Sequence, residues 1–482
     1  MKSQKNAPLL DALRKYANQE ITHFDVPGHK KRNNPEIIDA YGEKTLKMDA
    51  NSTPELDLPA NPTGVIAQAE QLLADAYWAD QAFLLVNGST AGVQYMILTA
   101  CGPNDKIIMP RNVHKSAINA LILCGARPVF IEPEIDCEFG INNGVRPDSV
   151  KKAIQENPDA RAVFLINPTY FGATSDLREI VKLAHRYKMT VLVDESHGAH
   201  FPFHPDFPVY AMDAGADMAT ISLHKTGGSL TQSSALLLNE RVYSRSRIRS
   251  TINLLQTTSA SYLLMSSIDL ARRKLSIQGE KIFGELLPVI RKAKQEISQI
   301  PGLAVLSKSN RNGAGIFDYD ETKFVIRVND LGLTGFEAYE LLRKDYGIQP
   351  ELAETYVVLA IASIGDDAQT IRKLVDALRD LSTRFYGKKE RFSVPMKGFL
   401  EIPRTVLSPR DAHYSSRRSV SLDEAVGEIC GESIMIYPPG IPLAIPGERL
   451  TEEIIEHYKF YQTQKCVLMN DDEHADQITI LG

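Results

Sequence analysis

From about residue 80 the sequence alternates short β-rich runs with helix-like stretches, and this alternation restricts the possible fold more than any other feature. Seven runs read as strands: AFLLV (Ala82–Val86), KIIMP (Lys106–Pro110), PVFIE (Pro128–Glu132), AVFLI (Ala162–Ile166), TVLVD (Thr190–Asp194), MATIS (Met218–Ser222) and SALLL (Ser234–Leu238). Strands separated by helices predict an α/β fold with one parallel sheet covered by helices on both faces. The stretch SDLREIVKLAHRYK is one such helix, and Ser175 or Asp176 can cap its first turn. Ligands of such sheets gather at the carboxyl ends of the strands, so the strand ends are where function is to be sought.

Beyond about residue 275 the texture changes to a long helical region followed by KFVIRVND, GFEAYELLRKDYG and YVVLAIAS, an α+β pattern suited to a smaller domain. GKKERFSVPMKG (Gly387–Gly398), charged and broken by proline, reads as a linker. YPPGIPLAIPGE (Tyr437–Glu448) is punctuated by proline and glycine, which enforces an extended path. The expected division is an N-terminal segment 1–60, a large domain 61–275, a small α+β domain 276–386 and a C-terminal domain 399–482.

With 482 residues, 43% of them hydrophobic and 24% charged, the chain has the composition and length of a globular, enzyme-sized protein. Lys plus Arg number 54 against 60 Asp plus Glu, and no basic block stands out, which argues against nucleic acid as a partner. Cys101, Cys124, Cys137, Cys430 and Cys466 are odd in number and lack the paired spacing of zinc ligands, so they read as reduced thiols. The N-terminus has no signal-peptide pattern and no stretch approaches a membrane span. The expected location is the cytoplasm.

The strand ends carry the chemistry. In LLVNGSTAG, Gly88, Ser89 and Thr90 follow a strand and open a helix, which makes either a capped turn or an anion site of backbone N–H groups and hydroxyls. In VDESHGAH, Asp194 ends an apolar strand, and a carboxylate so placed keeps its charge only beside a cation or strong donors. His197 and His200 follow it, but no third ligand at a metal-site spacing accompanies them, so no metal is expected. His114, in RNVHKS, is either a surface histidine or an imidazole stacked on an aromatic cofactor. In SLHKTGGSLTQSS, Lys225 is either a solvated strand-end residue or an amine that forms a Schiff base. Phosphate turn, stacking histidine, buried aspartate and lysine together are the set that pyridoxal 5'-phosphate requires.

The order FDVPGHKK, NGSTAG, CGPNDKIIMPRNVHKS, INPTYFG, VLVDESHGAHF, SLHKTGGSLTQSS, TTSASYLLMSSIDLARR and YPPGIPLAIPGE resembles that of the ornithine/lysine/arginine decarboxylases of the aspartate-aminotransferase fold. It is most similar to the short arginine decarboxylases of Gram-positive bacteria. The resemblance implies a mixed, mainly parallel seven-stranded sheet, a smaller α+β domain and a C-terminal decarboxylase domain. It implies a pyridoxal 5'-phosphate-dependent carboxy-lyase that turns L-arginine into agmatine and carbon dioxide for polyamine biosynthesis, with lysine or ornithine as alternative substrates. By position, Lys225 is similar to the lysine that bonds the cofactor, Asp194 to the carboxylate on the ring nitrogen, and His114 to the stacking histidine. Ser89, Thr90 and Ser222 match phosphate ligands, and His197 falls near the ring oxygen. His224 falls where a histidine contacts the substrate carboxylate or reprotonates the carbanion. Thr257 resembles the hydroxyl that reaches the phosphate from a neighbouring subunit, which implies a homodimer.

Three departures accompany the resemblance. Asp194-Glu195-Ser196-His197 has serine where alanine is common, expected to put a hydroxyl near the ring face; ELDLPANPTG replaces a differently spaced acidic segment; and Trp78 stands where glycine is common. The distal cation of the substrate calls for a carboxylate. Glu351 and Glu354, in IQPELAETYVV, are either solvated loop acids or that contact, Glu351 being the first choice. An aminotransferase or carbon–sulfur lyase on the same fold, or a non-catalytic homologue, is the rival reading.

Overall fold

The computed structural model describes residues 3–32, 34–313, 315–393, 402–437, 440–464, 467–470 and 476–482. Residues 394–398 of the expected linker, the start of the expected C-terminal domain at 399–401, Pro438, Pro439 and Cys466 lie outside the described residues. By its internal contacts the chain divides into two compact units, Met1–Thr99 with Val193–Phe283, and Ala100–Leu192 with Gly284–Gly482.

All seven expected runs are strands: β1 (Gln81–Leu85), β2 (Lys106–Pro110), β3 (Arg127–Ile131), β4 (Ala162–Ile166), β5 (Thr190–Asp194), β6 (Met218–Ile221) and β7 (Ser234–Leu238). They form one sheet in the order β1-β7-β6-β5-β4-β2-β3. β2 runs parallel to both β3 and β4. β7 alone reverses, pairing antiparallel with β1 and with β6, which makes the sheet mixed and mainly parallel. Every residue of β6 and β7 is buried, as expected of strands that are covered on both faces.

In the first unit the helix Gly88–Ala100 follows β1 directly. A Cβ on Gly92 would lie 2.0 Å from Thr220 Oγ1, so only glycine lets this helix settle against β6. The helix Pro8–Ala17 is fastened by a buried ion pair. Asp269 Oδ2 accepts from Leu9 N at 3.0 Å, while Asp269 Oδ1 lies 2.5 Å from Arg272 Nη2. The carboxylate meets N–H groups that the first helical turn cannot pair internally.

The second unit holds β2, β3 and β4 and a smaller antiparallel sheet of β8 (Ala304–Val305), β9 (Lys323–Arg327), β10 (Leu352–Ala353) and β11 (Val357–Ile361), ordered β8-β9-β11-β10. The helix Leu177–Arg186 resolves the choice of cap: Asp176 accepts from Glu179 N, and Ser175 Oγ accepts instead from Val145 N at 2.9 Å. YPPGIPLAIPGE is extended as expected where it is described, with strands Ile434–Tyr437 and Ile441–Ala444 pairing antiparallel. Arg111, just after β2, donates to both carboxylate oxygens of the buried Glu448, at 3.2 and 2.8 Å. Cys101, Cys124, Cys137 and Cys430 are free thiols. Among the described residues no helix is long and apolar enough to cross a membrane, and no group of three or more His, Cys, Asp or Glu side chains is placed to hold a metal ion.

Candidate active site

The carboxyl ends of β1, β5 and β6 bring together chemistry that is far apart in sequence. β1 gives way to its helix through Gly88 at φ +69°, a left-handed conformation that favours glycine. Its N–H donates to Gln232 O at 2.9 Å, so the loop after Lys225 is tied to this turn. Ser89, buried at the first turn of the helix, has its Oγ 2.7 Å from Ser222 Oγ at the end of β6. Two hydroxyls beside the N–H groups of a helix start form a donor set suited to a phosphate monoester. Thr90 is exposed at the same turn.

β5 and β6 are neighbours in the sheet, so Asp194 and Lys225 come from adjacent strand ends. Asp194 Oδ1 accepts from Ser196 N at 3.1 Å and from Ser196 Oγ in a short bond. The Ser196 hydroxyl is thereby committed to the carboxylate. Between them Glu195, 1% exposed, turns inward and accepts from Ala211 N at 2.8 Å, which anchors the strand end. Lys225 sits in a short helix, Leu223–Thr226, that opens at Ser222, and its Nζ lies 2.7 Å from Nε2 of the buried His197. His224 Nδ1 faces Ser233 O at 2.9 Å. A carbonyl only accepts, so His224 Nδ1 carries a hydrogen.

The other expected site residues lie within their own units. Thr257 is exposed in the segment between two helices, its Oγ1 accepting from Ser259 N at 3.1 Å. His114 belongs to the second unit and caps the helix Lys115–Cys124, accepting from Ser116 N. Glu351 is exposed there, and Tyr170 Oη donates to it at 3.2 Å. Glu354 lines a cavity of about 420 Å³ with Phe171, Tyr461 and His457, and burial pushes its carboxyl up to about 7 although Thr355 N and Tyr461 donate to it.

Two departures noted in the sequence lie at the two ends of one helix, Val65–Ala76. Asp57 gathers N–H groups of Leu58, Thr63, Gly64, Ile66 and Ala67 at 2.7 to 3.4 Å. Burial would raise its carboxyl, but these donors hold it below the usual range. Trp78, just past the other end, is at φ +57° and 60% exposed. This is the left-handed position that ends many helices and that glycine favours. Sequence reasoning missed Gly92, Glu195 and the Gln232 carbonyl. For Gly92 the signal was available, a glycine four residues after Gly88 on the same helical face.

Solved structures establish the fold class. The chain superposes on a Francisella novicida lysine decarboxylase with a TM-score of 0.86 over 99% of this chain and 81% of the other, at 19% identity. The fold is that of the aspartate-aminotransferase-like enzymes. Sequence then narrows the class. Residues 7–370 match the Orn/Lys/Arg decarboxylase major domain and residues 393–466 the C-terminal domain of the same family. Arginine decarboxylase of Bacillus subtilis is 42% identical over 94% of this chain and 93% of its own length. That of Bacillus anthracis is 41% identical over 95% and 93%. The chain belongs to the Orn/Lys/Arg decarboxylase family.

Proposed function

We propose that this decarboxylase uses pyridoxal 5'-phosphate and acts on L-arginine, releasing agmatine and carbon dioxide. The observation that carries the reading is the Lys225 Nζ to His197 Nε2 contact of 2.7 Å, on the strand end next to the one that closes with Asp194. The donor set fits the cofactor: hydroxyls and helix N–H groups for a phosphate, a carboxylate for a ring nitrogen, an amine for an aldehyde. The similarity to the Bacillus arginine decarboxylases supports arginine.

When bound, the cofactor supplies an electron sink for the pair left at Cα as carbon dioxide departs. Ser89 and Ser222, with the amides of the helix start, would hold its phosphate, and Asp194 would hold a proton on its ring nitrogen. Lys225 Nζ is the amine that would carry the cofactor, and His197 Nε2, 2.7 Å away, would take a proton from it. With Nδ1 of His224 committed to Ser233 O, Nε2 is the nitrogen that exchanges a proton with substrate. By the resemblance, Thr90 would join the phosphate ligands, His114 would stack on the ring and Thr257 would reach the phosphate of a neighbouring subunit in a homodimer; Glu351 is assigned to the distal cation of the substrate and the protein to the cytoplasm.

The test is carbon dioxide release measured side by side on arginine, lysine and ornithine. Arginine is expected to give the highest kcat/KM. A preference for lysine or ornithine overturns the arginine assignment, and a keto acid product without carbon dioxide shows transamination instead.

A further inference from the structure

We infer that Ser196 is a positioning residue that sets the orientation of Asp194. The inference rests on the proposed pairing of Asp194 with the cofactor's ring nitrogen. Two donors of one residue, Ser196 N and Ser196 Oγ, converge on the single oxygen Oδ1. Such a pair fixes the carboxylate plane, so that Oδ2 is the oxygen aimed at a cationic partner.

The same device occurs a second time in the chain, with its cation visible. In Asp320-Glu321-Thr322, Thr322 N and Thr322 Oγ1 donate to Asp320 Oδ1 at 3.0 and 2.7 Å. The other oxygen, Oδ2, receives Lys323 Nζ at 2.7 Å, and both charged side chains are fully buried. The aspartate's second successor clamps one oxygen while the other takes the positive charge. Transferred to Asp194-Glu195-Ser196, the cation on Oδ2 is the protonated ring nitrogen.

The hydroxyl holds the carboxylate plane so that Oδ2 can meet the proton on the ring nitrogen. Without it the carboxylate is free to turn, the pairing weakens, and the ring becomes a poorer electron sink.

The holoenzyme loaded with cofactor labelled with 15N at the ring nitrogen tests this by NMR. Ser196→Ala is expected to move the 15N signal toward the unprotonated pyridine position, Ser196→Thr to restore it, and Asp194→Asn to move it furthest. In Ser196→Ala kcat is expected to fall about 10-fold with little change in KM, the loss of one charge-assisted hydrogen bond. A 15N signal in Ser196→Ala identical to wild type, with Asp194→Asn displaced, overturns the role given to Ser196. An unmoved signal in Asp194→Asn overturns the underlying pairing instead.

Discussion

Two stretches of this chain, Asp194-Glu195-Ser196 in the first unit and Asp320-Glu321-Thr322 in the second, fold their carboxylates alike and are used differently. Around Asp320 the buried groups find partners within the protein: Lys323 meets Asp320, Arg291 meets Glu321 at 2.7 Å, and Lys294 donates to the Lys323 carbonyl at 2.8 Å against the ring of Tyr319. Lys294, 3% exposed, is pushed down to about 7 by burial, against which Glu321 and Asp320 act. Lys225 is only partly buried and meets an imidazole, which can take or return a proton. A lysine amine made neutral by burial is a sign of catalysis only where a proton acceptor and room for a substrate accompany it. In the second cluster the shifted amine is shut away from solvent and spends its hydrogen bond on the Lys323 carbonyl, so it reads as structural.

The largest effect separates the two lysines. Lys225→Ala should abolish decarboxylation and the absorption band of lysine-bound cofactor while the thermal midpoint stays put. Lys294→Met should keep turnover. Activity surviving in the first variant, or lost in the second, breaks the contrast.

The aspartates should divide the same way. Asp194→Asn should cost about 100-fold or more in kcat with little loss of stability, because an amide cannot hold the ring nitrogen protonated, at about 1.4 kcal/mol per pKa unit. Asp320→Asn leaves Lys323 buried without its counter-charge and should cost about 3–5 kcal/mol in urea denaturation. Equal stabilities for the two variants would erase the distinction.

Within the second unit, Glu351 and Glu354 are separated by exposure. Glu351→Gln should lower kcat/KM for arginine by about 10- to 100-fold, the loss of one charge-assisted pair. If that variant is unchanged and Glu354→Gln shows the loss, the cavity-lining residue takes the role.

The pH dependence of stability separates two further groups of the second unit, and the signs oppose. The Lys294 ammonium ordinarily deprotonates near 10.5, but in the fold it does so at about 7. Unfolding therefore takes up a proton between these values, and its contribution makes stability rise from about pH 7 to 10.5. Glu354 ordinarily ionises near 4.5 and in the fold at about 7, so unfolding releases a proton and stability falls across that window. Each change should amount to a few kcal/mol across its window, at about 1.4 kcal/mol per unit. Urea titrations should show the alkaline rise flattened in Lys294→Met and the acid-side fall flattened in Glu354→Gln.

Much of the first unit was legible in advance. β7 spans the residues that its run predicts, because a strand covered on both faces is nearly continuous in apolar residues and is bounded where polar residues return. The resemblance named Asp194, Lys225, Ser89 and Ser222 at once, since strand-end residues keep a fixed order along the chain. Less of the second unit could be read. Asp320 and Lys323 look like surface charges in FDYDETKF, and nothing local announces that both are fully buried. Trp78 and ELDLPANPTG appeared as unexplained departures until they proved to be the two ends of one helix.

By itself the sequence determined the alternation of strands and helices, the family, and which residue types stand at the strand ends, because these depend on local periodicity and on order. Tertiary structure alone decided that β7 lies reversed between β1 and β6, that Ser89 and Ser222 meet across 133 residues, that the Ser196 hydroxyl serves Asp194, and that Lys225 faces His197. Each of these is a pairing of groups whose separation the local sequence does not encode, and whose desolvated hydrogen bonds form only once the sheet has been assembled around them.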